Sequence, residues 1–206
     1  WLRQMVGLSD QWQGVIEDTA STSTLLALIC ARERVTGYAL ARGGLQAEPH
    51  ALVVYASAYS HSSVDKAALL AGFGEDNIRH IACDDAYAMR PDALAAAIAE
   101  DRSAGRVPCA VVATTGTTTT TALDPVRAIA EVVAGTGIWL HVDAAMAGSA
   151  MVLPECRWMW DGIERADSLV FNPHKWLGTV FDCSLSYVRD IEHLVACIRL
   201  NLDCAA

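Results

Sequence analysis

The chain has 206 residues, of which 53% are hydrophobic and 19% charged, with a net charge of −9. That composition supports a substantial core and excludes intrinsic disorder, and the acidic balance argues against a nucleic-acid or anionic-membrane partner. No apolar run reaches the ~18–20 residues of a membrane span, and the opening WLRQMVGLSD has neither the basic nor the apolar part of a signal peptide.

Taken in chain order, strand-like runs alternate with helical ones. EDTASTSTLLALICARERVTG leads small hydroxyl residues into an apolar-periodic helix closed by Gly37, with Thr19 or Ser21 available as cap. ALVVYAS (51–57) reads as a strand, SSVDKAALLAG (62–72) as a helix, and IRHIA (78–82) as a short strand. RPDALAAAIAEDRSAG has Pro91 at a helix start and Gly105 at its end. VPCAVVATTG is a buried strand running into a threonine-rich loop. DPVRAIAEVVAGTG is a helix, with Asp124 expected as its N-cap and Pro125 at its first position. IWLHVDAA, DSLVFN and CSLSYVR are further strands, followed by a helical tail from about Asp190. Apolar strands joined by short helical crossovers predict an α/β fold, a mainly parallel sheet with helices on both faces, in one domain.

Seven cysteines (30, 83, 109, 156, 183, 197 and 204) form no C-x-x-C pair. They read as thiols of a reducing compartment, with the cytoplasm expected, and not as a disulfide frame or a zinc cluster. The chain opens on Trp1 and not on Met, and is read as a fragment or a processed product.

In such sheets ligands bind beyond the carboxyl ends of the strands. That rule selects Ser60 and His61, Thr114 to Thr118, Asp143, and Asn172 with His174 and Lys175. Three features there carry chemistry. The start of the helix after Thr19 exposes backbone amides that suit a phosphate. Asp143 ends an apolar strand, where a carboxylate needs a cationic or hydrogen-bonding partner. His141 and Asp143 share a strand face, but no third ligand accompanies them, so no metal is expected. Lys175 stands 32 residues after Asp143 where another apolar run stops. An amine that attacks a carbonyl must be deprotonated, which predicts a partly desolvated setting. A lysine, a pyridinium-pairing aspartate and a phosphate-binding helix start together make the toolkit of pyridoxal 5′-phosphate, PLP.

AYSHSSVDKAALLAG, DDAYAMRPDALAAAIAEDRSAGRVPCAVVATTGTTTTTALDPV, IWLHVDAAMAGSAMVLPECRW and ADSLVFNPHKWLGTVFDCS carry a resemblance over most of residues 14–200. The chain resembles the large domain of group II PLP-dependent decarboxylases, nearest the aromatic-L-amino-acid decarboxylases. The resemblance implies the fold-type I large domain, incomplete over residues 1–206, with an N-terminal segment, a mobile catalytic loop and a C-terminal small domain outside it. It implies a homodimer in the full-length form. It implies that Lys175 matches the family's Schiff-base lysine, Asp143 the partner of the pyridine nitrogen, and His61 the histidine stacked on the cofactor ring. Ala20 and Ser21 match the phosphate contacts, Thr118 and Asn172 further cofactor contacts, and His174 the histidine before the lysine. The implied reaction is loss of carbon dioxide from an L-amino acid, an aromatic one, giving the amine. Aldehyde synthesis or oxidative deamination by the same cofactor, and a truncated non-catalytic homologue, stay open. Two departures stand out: Met146 where the family has an aromatic residue, and Glu17 with Asp18 where an uncharged lead-in to the phosphate segment is common.

Overall fold

In the computed structural model, which describes residues 1–198, the apolar runs pair into one seven-stranded sheet. Its strands are β1 (Gln13–Glu17), β2 (Leu52–Ser57), β3 (Ile78–Ile81), β4 (Val107–Thr114), β5 (Trp139–Asp143), β6 (Ser168–Phe171) and β7 (Ser184–Val188). They lie in the order β1-β7-β6-β5-β4-β2-β3. From β3 to β6 every pairing is parallel, while β7 runs antiparallel to both β6 and β1. The mainly parallel sheet expected from the sequence is the one that forms. β2, β5, β6 and β7 are buried at every position. A strand covered on both faces has no need to alternate polar with apolar residues, which is why β2 reads as a nearly continuous apolar run, while β5 and β7 bury His141, Asp143, Ser184 and Ser186 as well.

β1 escaped the sequence reading. Four of its five residues are exposed, and QGVIE lacks the apolar content of a buried strand. It forms at the sheet edge by pairing with β7, Gln13 opposite Val188 through Glu17 opposite Ser184.

The helices are α1 (Leu2–Met5), α2 (Ala20–Thr36), α3 (Ser63–Leu70), α4 (Pro91–Ser103), α5 (Val126–Val133), α6 (Pro173–Trp176) and α7 (Ile191–Ile198). The part of the expected helical tail beyond 198, and Cys204, lie outside the described residues. Thr19 caps α2, its hydroxyl oxygen accepting from the Thr22 N–H, and Gly37 closes it at φ +61° in the left-handed region. The cap expected for α5 is not Asp124. That helix begins at Val126 with Pro125 in the cap position. The Asp124 carboxylate instead accepts from the Met89 and Thr114 backbone N–H groups, each at 2.7 Å. Two unpaired amides of neighbouring segments outcompeted the helix start for one buried carboxylate.

Period-two alternation splits the strand side chains between two cores. Val54, Ala56, Ala110 and Val112 meet Leu28 of α2, Val64 of α3 and Leu194 of α7 on one face. Val53, Tyr55, Val111, Leu140 and Val142 meet Leu94 of α4 and Ile129 of α5 on the other. The helix α2 therefore lies across the sheet with its N-terminus at the carboxyl ends of the parallel strands.

Candidate active site

At that rim a cavity of about 250 Å³ is lined by residues from four strand ends and from the first turn of α2. Ala20, Ser21, His61, Thr118, Asp143, Asn172, His174 and Lys175, the eight residues singled out from the sequence, all line it. Larger depressions of about 640 and 710 Å³ lie at the opposite end of the sheet around Arg34, Asp167 and Arg189, as open surface basins.

Alternation along β5 explains the position of Asp143. Trp139, His141 and Asp143 share the face turned to α2. His141 is fully buried, its Nδ1 2.8 Å from Ser168 Oγ and its Nε2 3.4 Å from Thr24 Oγ1 on α2. Burial pushes its pKa down to about 3, so the ring is neutral and held within the core. Two residues on, Asp143 emerges beside the first turn of α2. Its Oδ1 accepts from the Ala145 N–H at 3.0 Å, and Oδ2 has no protein hydrogen bond among the described residues. Burial pushes the carboxyl above its ordinary range, against the Ala145 N–H and the positive charges of Lys175 and His61. Among the described residues that carboxylate forms no ion pair, so Lys175 and His61 act on it only from a distance.

Thr114, at the end of β4, adds a second unanswered group. It lines the cavity, and its Oγ1 is buried without any partner. An orphaned hydroxyl facing a cavity costs about 1–3 kcal/mol unless a ligand or water meets it. At the first turn of α2, the Ala20 and Ser21 amides precede the first intrahelical acceptors, as at any helix start. A flat, polar, anionic group such as PLP fits this set: amides for a phosphate, a buried carboxylate for a ring nitrogen, and a free hydroxyl.

Against known proteins, residues 1–204 match the description "Pyridoxal-dependent decarboxylase conserved domain". The chain belongs to that family. It is 40% identical to phenylacetaldehyde synthase of Arabidopsis thaliana, over 98% of this chain and 42% of the relative. It is 43% identical to aromatic-L-amino-acid decarboxylase of Bos taurus, over 96% of this chain and 40% of the relative. Among solved structures, Oryza sativa TDC with PLP and tryptamine superposes with a TM-score of 0.90 at 42% identity, covering 100% of this chain and 44% of that one. The chain thus spans about two-fifths of the length of these curated relatives.

Within this pyridoxal-dependent decarboxylase fold, the remaining site residues differ in how firmly they are held. The His61 ring is pinned at Nδ1, which accepts from the Ser63 N–H at 3.2 Å and lies 2.8 Å from Ser63 Oγ, leaving Nε2 to carry the proton. Asn172 is buried, its Oδ1 accepting from Ser184 Oγ at 2.7 Å. His174 Nδ1 accepts from the Cys183 N–H at 2.8 Å, and its ring packs 4.8 Å from that of Phe181.

Lys175 departs from expectation: it is exposed, not desolvated. The one-turn helix α6 starts at Pro173 and carries the lysine outward from β6, and its neighbours Trp176 and Leu177 are exposed too. Glu17 and Asp18 do not line the cavity; Asp18 Oδ1 accepts from the Thr19 N–H at 2.6 Å, just outside it. Met146 does line it. The small residues after Asp143 serve packing as well as access, since a Cβ on Gly148 would collide with the Phe171 side chain. Ser63 and Phe181 went unrecognised as site residues. The Ser63 contact depends on a turn geometry that no residue pattern announces, and Phe181 reaches the cavity only because His174 holds its loop.

Proposed function

We propose that this chain is the cofactor-binding large domain of a longer PLP-dependent decarboxylase that converts an aromatic L-amino acid to its amine and carbon dioxide. The observation that carries the reading is the buried Asp143, whose free Oδ2 faces a cavity that also holds Lys175 and the start of α2. When bound, PLP supplies an electron sink for the bond to the departing carboxylate. Lys175 would hold its aldehyde carbon, and Asp143 would keep its ring nitrogen protonated. The Ala20 and Ser21 amides would bind its phosphate, and His61, its ring pinned by Ser63, would lie against the ring face. Thr118, Asn172 and His174 complete the wall, and Thr114 offers its unpaired hydroxyl.

Relatives named for tryptophan and for aromatic amino acids support the substrate class. The relative named phenylacetaldehyde synthase supports a second outcome, an aldehyde in place of the amine. The exposed Trp176, Val180 and Phe181 beside the cavity support burial against a second copy, hence a homodimer in the full-length protein. The six cysteines among the described residues are free thiols, which supports a cytoplasmic location. No helix is long and apolar enough to cross a membrane.

Borohydride reduction of the PLP-loaded protein tests the assignment. We expect the label on the peptide containing NPHKW; label on Lys66, the only other lysine, overturns the role of Lys175. Product analysis with tryptophan, tyrosine, dihydroxyphenylalanine and phenylalanine then separates amine from aldehyde.

A further inference from the structure

A second group of reactive side chains lies away from the cavity, where α7 crosses α2. His193 and Cys197 stand four residues apart on α7 and so share one helix face. Cys30 of α2, wholly buried, faces them. The Cys30 sulfur, a His193 ring nitrogen and the Cys197 sulfur all lie within 4.8 Å of one another. Nothing in the proposed decarboxylation uses them.

Their spacing has a specific meaning. His193 Nε2 and Cys197 Sγ are 3.5 Å apart. A tetrahedral centre with a metal–sulfur bond of ~2.3 Å and a metal–nitrogen bond of ~2.0 Å has a sulfur–nitrogen edge of about 3.5 Å. The other ring nitrogen, Nδ1, lies 2.9 Å from the Tyr38 hydroxyl, the outer partner that a metal-bound imidazole needs to fix its orientation. Without metal, Nε2 is 2.8 Å from the Cys30 carbonyl oxygen, to which it donates.

We propose that Cys30, His193 and Cys197 form a binding site for a borderline-soft d¹⁰ cation, Zn²⁺ in particular. Two thiolates and one imidazole match the softness of that ion, and solvent takes the fourth position on the half-exposed side of Cys197. Binding releases the two thiol protons. The Nε2 proton moves to Nδ1, which then donates to the Tyr38 oxygen, so the filled site is electrically neutral. No residue spacing announces such a site, because Cys30 and His193 are 163 positions apart.

The test uses the purified, chelator-stripped protein without PLP, so that its outcome is independent of the cofactor reading. Zn²⁺ titrated against a chromogenic chelator should bind at one equivalent and protect the half-exposed Cys197, mapped by mass spectrometry, from alkylation. Co²⁺ should give thiolate-to-metal charge-transfer absorption. Cys197→Ser and His193→Gln should lose that absorption while circular dichroism stays native, and Cys156→Ser, a thiol outside the group, should keep it. Should a variant misfold, the alkylation map of the unsubstituted protein decides. Failure to bind one equivalent, protection of other cysteines in place of Cys197, or equal loss in Cys156→Ser overturns the site.

Discussion

Asp143 is a buried carboxyl group with one oxygen engaged by Ala145, and Lys175 is exposed at the mouth of the same cavity. Asp143→Asn keeps the size of the side chain and its bond from Ala145 but removes the charge that holds a ring nitrogen protonated. We expect turnover to fall on the order of 10²-fold, equivalent to ~3 kcal/mol, with the fold retained. Near-normal turnover in steady-state assays would exclude the role. Asp18 does not line the cavity and bears on it through its charge, besides accepting from the Thr19 N–H. It is exposed beside the first turn of α2 and opposes an anion there, so Asp18→Asn should tighten PLP binding at low salt. The gain should vanish toward ~1 M salt, where screening shortens to about 3 Å. A difference that ignores ionic strength would point to a contact, not to charge.

At the scale of elements, two buried aspartates lock strands to their neighbours. Asp101 of α4 accepts from Tyr55 Oη of β2 at 2.9 Å and from the Arg79 guanidinium of β3 at 2.8 and 3.2 Å, with Arg106 adding a third donor. Burial alone would raise its pKa; these donors hold it below the ordinary range. Its stabilising contribution is therefore complete above the unfolded value of about 3.9 and is lost as pH falls through the lower folded value. Asp101→Ala leaves the Tyr55 hydroxyl buried without its acceptor and should cost about 3 kcal/mol in urea unfolding at pH 7. It should also flatten the acid limb of stability; an unchanged acid limb would show that other carboxylates dominate. Asp124 ties β4 to the segment before α4. Burial pushes its pKa up to about 6, so it is ionised at neutral pH and both oxygens accept amide bonds. Its titration runs the other way: its contribution is greatest below about pH 4 and declines as pH rises through about 6. Asp124→Asn turns one acceptor into a donor facing an N–H and should cost about 2 kcal/mol at pH 7. A smaller loss, with the Thr114 amide still protected from exchange, would show that the loop adapts.

For the whole molecule, the relevant fact is how little covers the cavity mouth. Lys175 is exposed, and Val180 and Phe181 beside it are 88% and 71% exposed. A cavity mouth this open lets water compete with a bound cofactor and leaves the reacting groups solvated. The 206-residue chain by itself should therefore bind PLP weakly and release carbon dioxide from tryptophan or dihydroxyphenylalanine far below the ordinary ~1–10 s⁻¹. Turnover in that range from this chain alone would show that no further cover is needed.

Most of the elements, the burial of the sheet and the rim residues His61, Thr118, Asp143, Asn172, His174 and Lys175 were legible in local patterns, whereas Ala20 and Ser21 were reached through the family resemblance. Strands buried on both faces are mostly apolar, helix ends need caps, and strand ends in a parallel sheet lie on one rim. The motif around Lys175 added identity to that geometry. Only the tertiary structure could decide where competing partners settle. Asp124 left its helix for two amides brought in from β4 and from before α4. QGVIE became a strand because β7 offered an open edge. Lys175 came to lie exposed because α6 turns it away from the sheet. Cys30 met His193 because two helices distant in sequence cross on one face. Local residue patterns specify what a segment can do alone; contacts between distant segments decide which of its groups are satisfied, buried or left free.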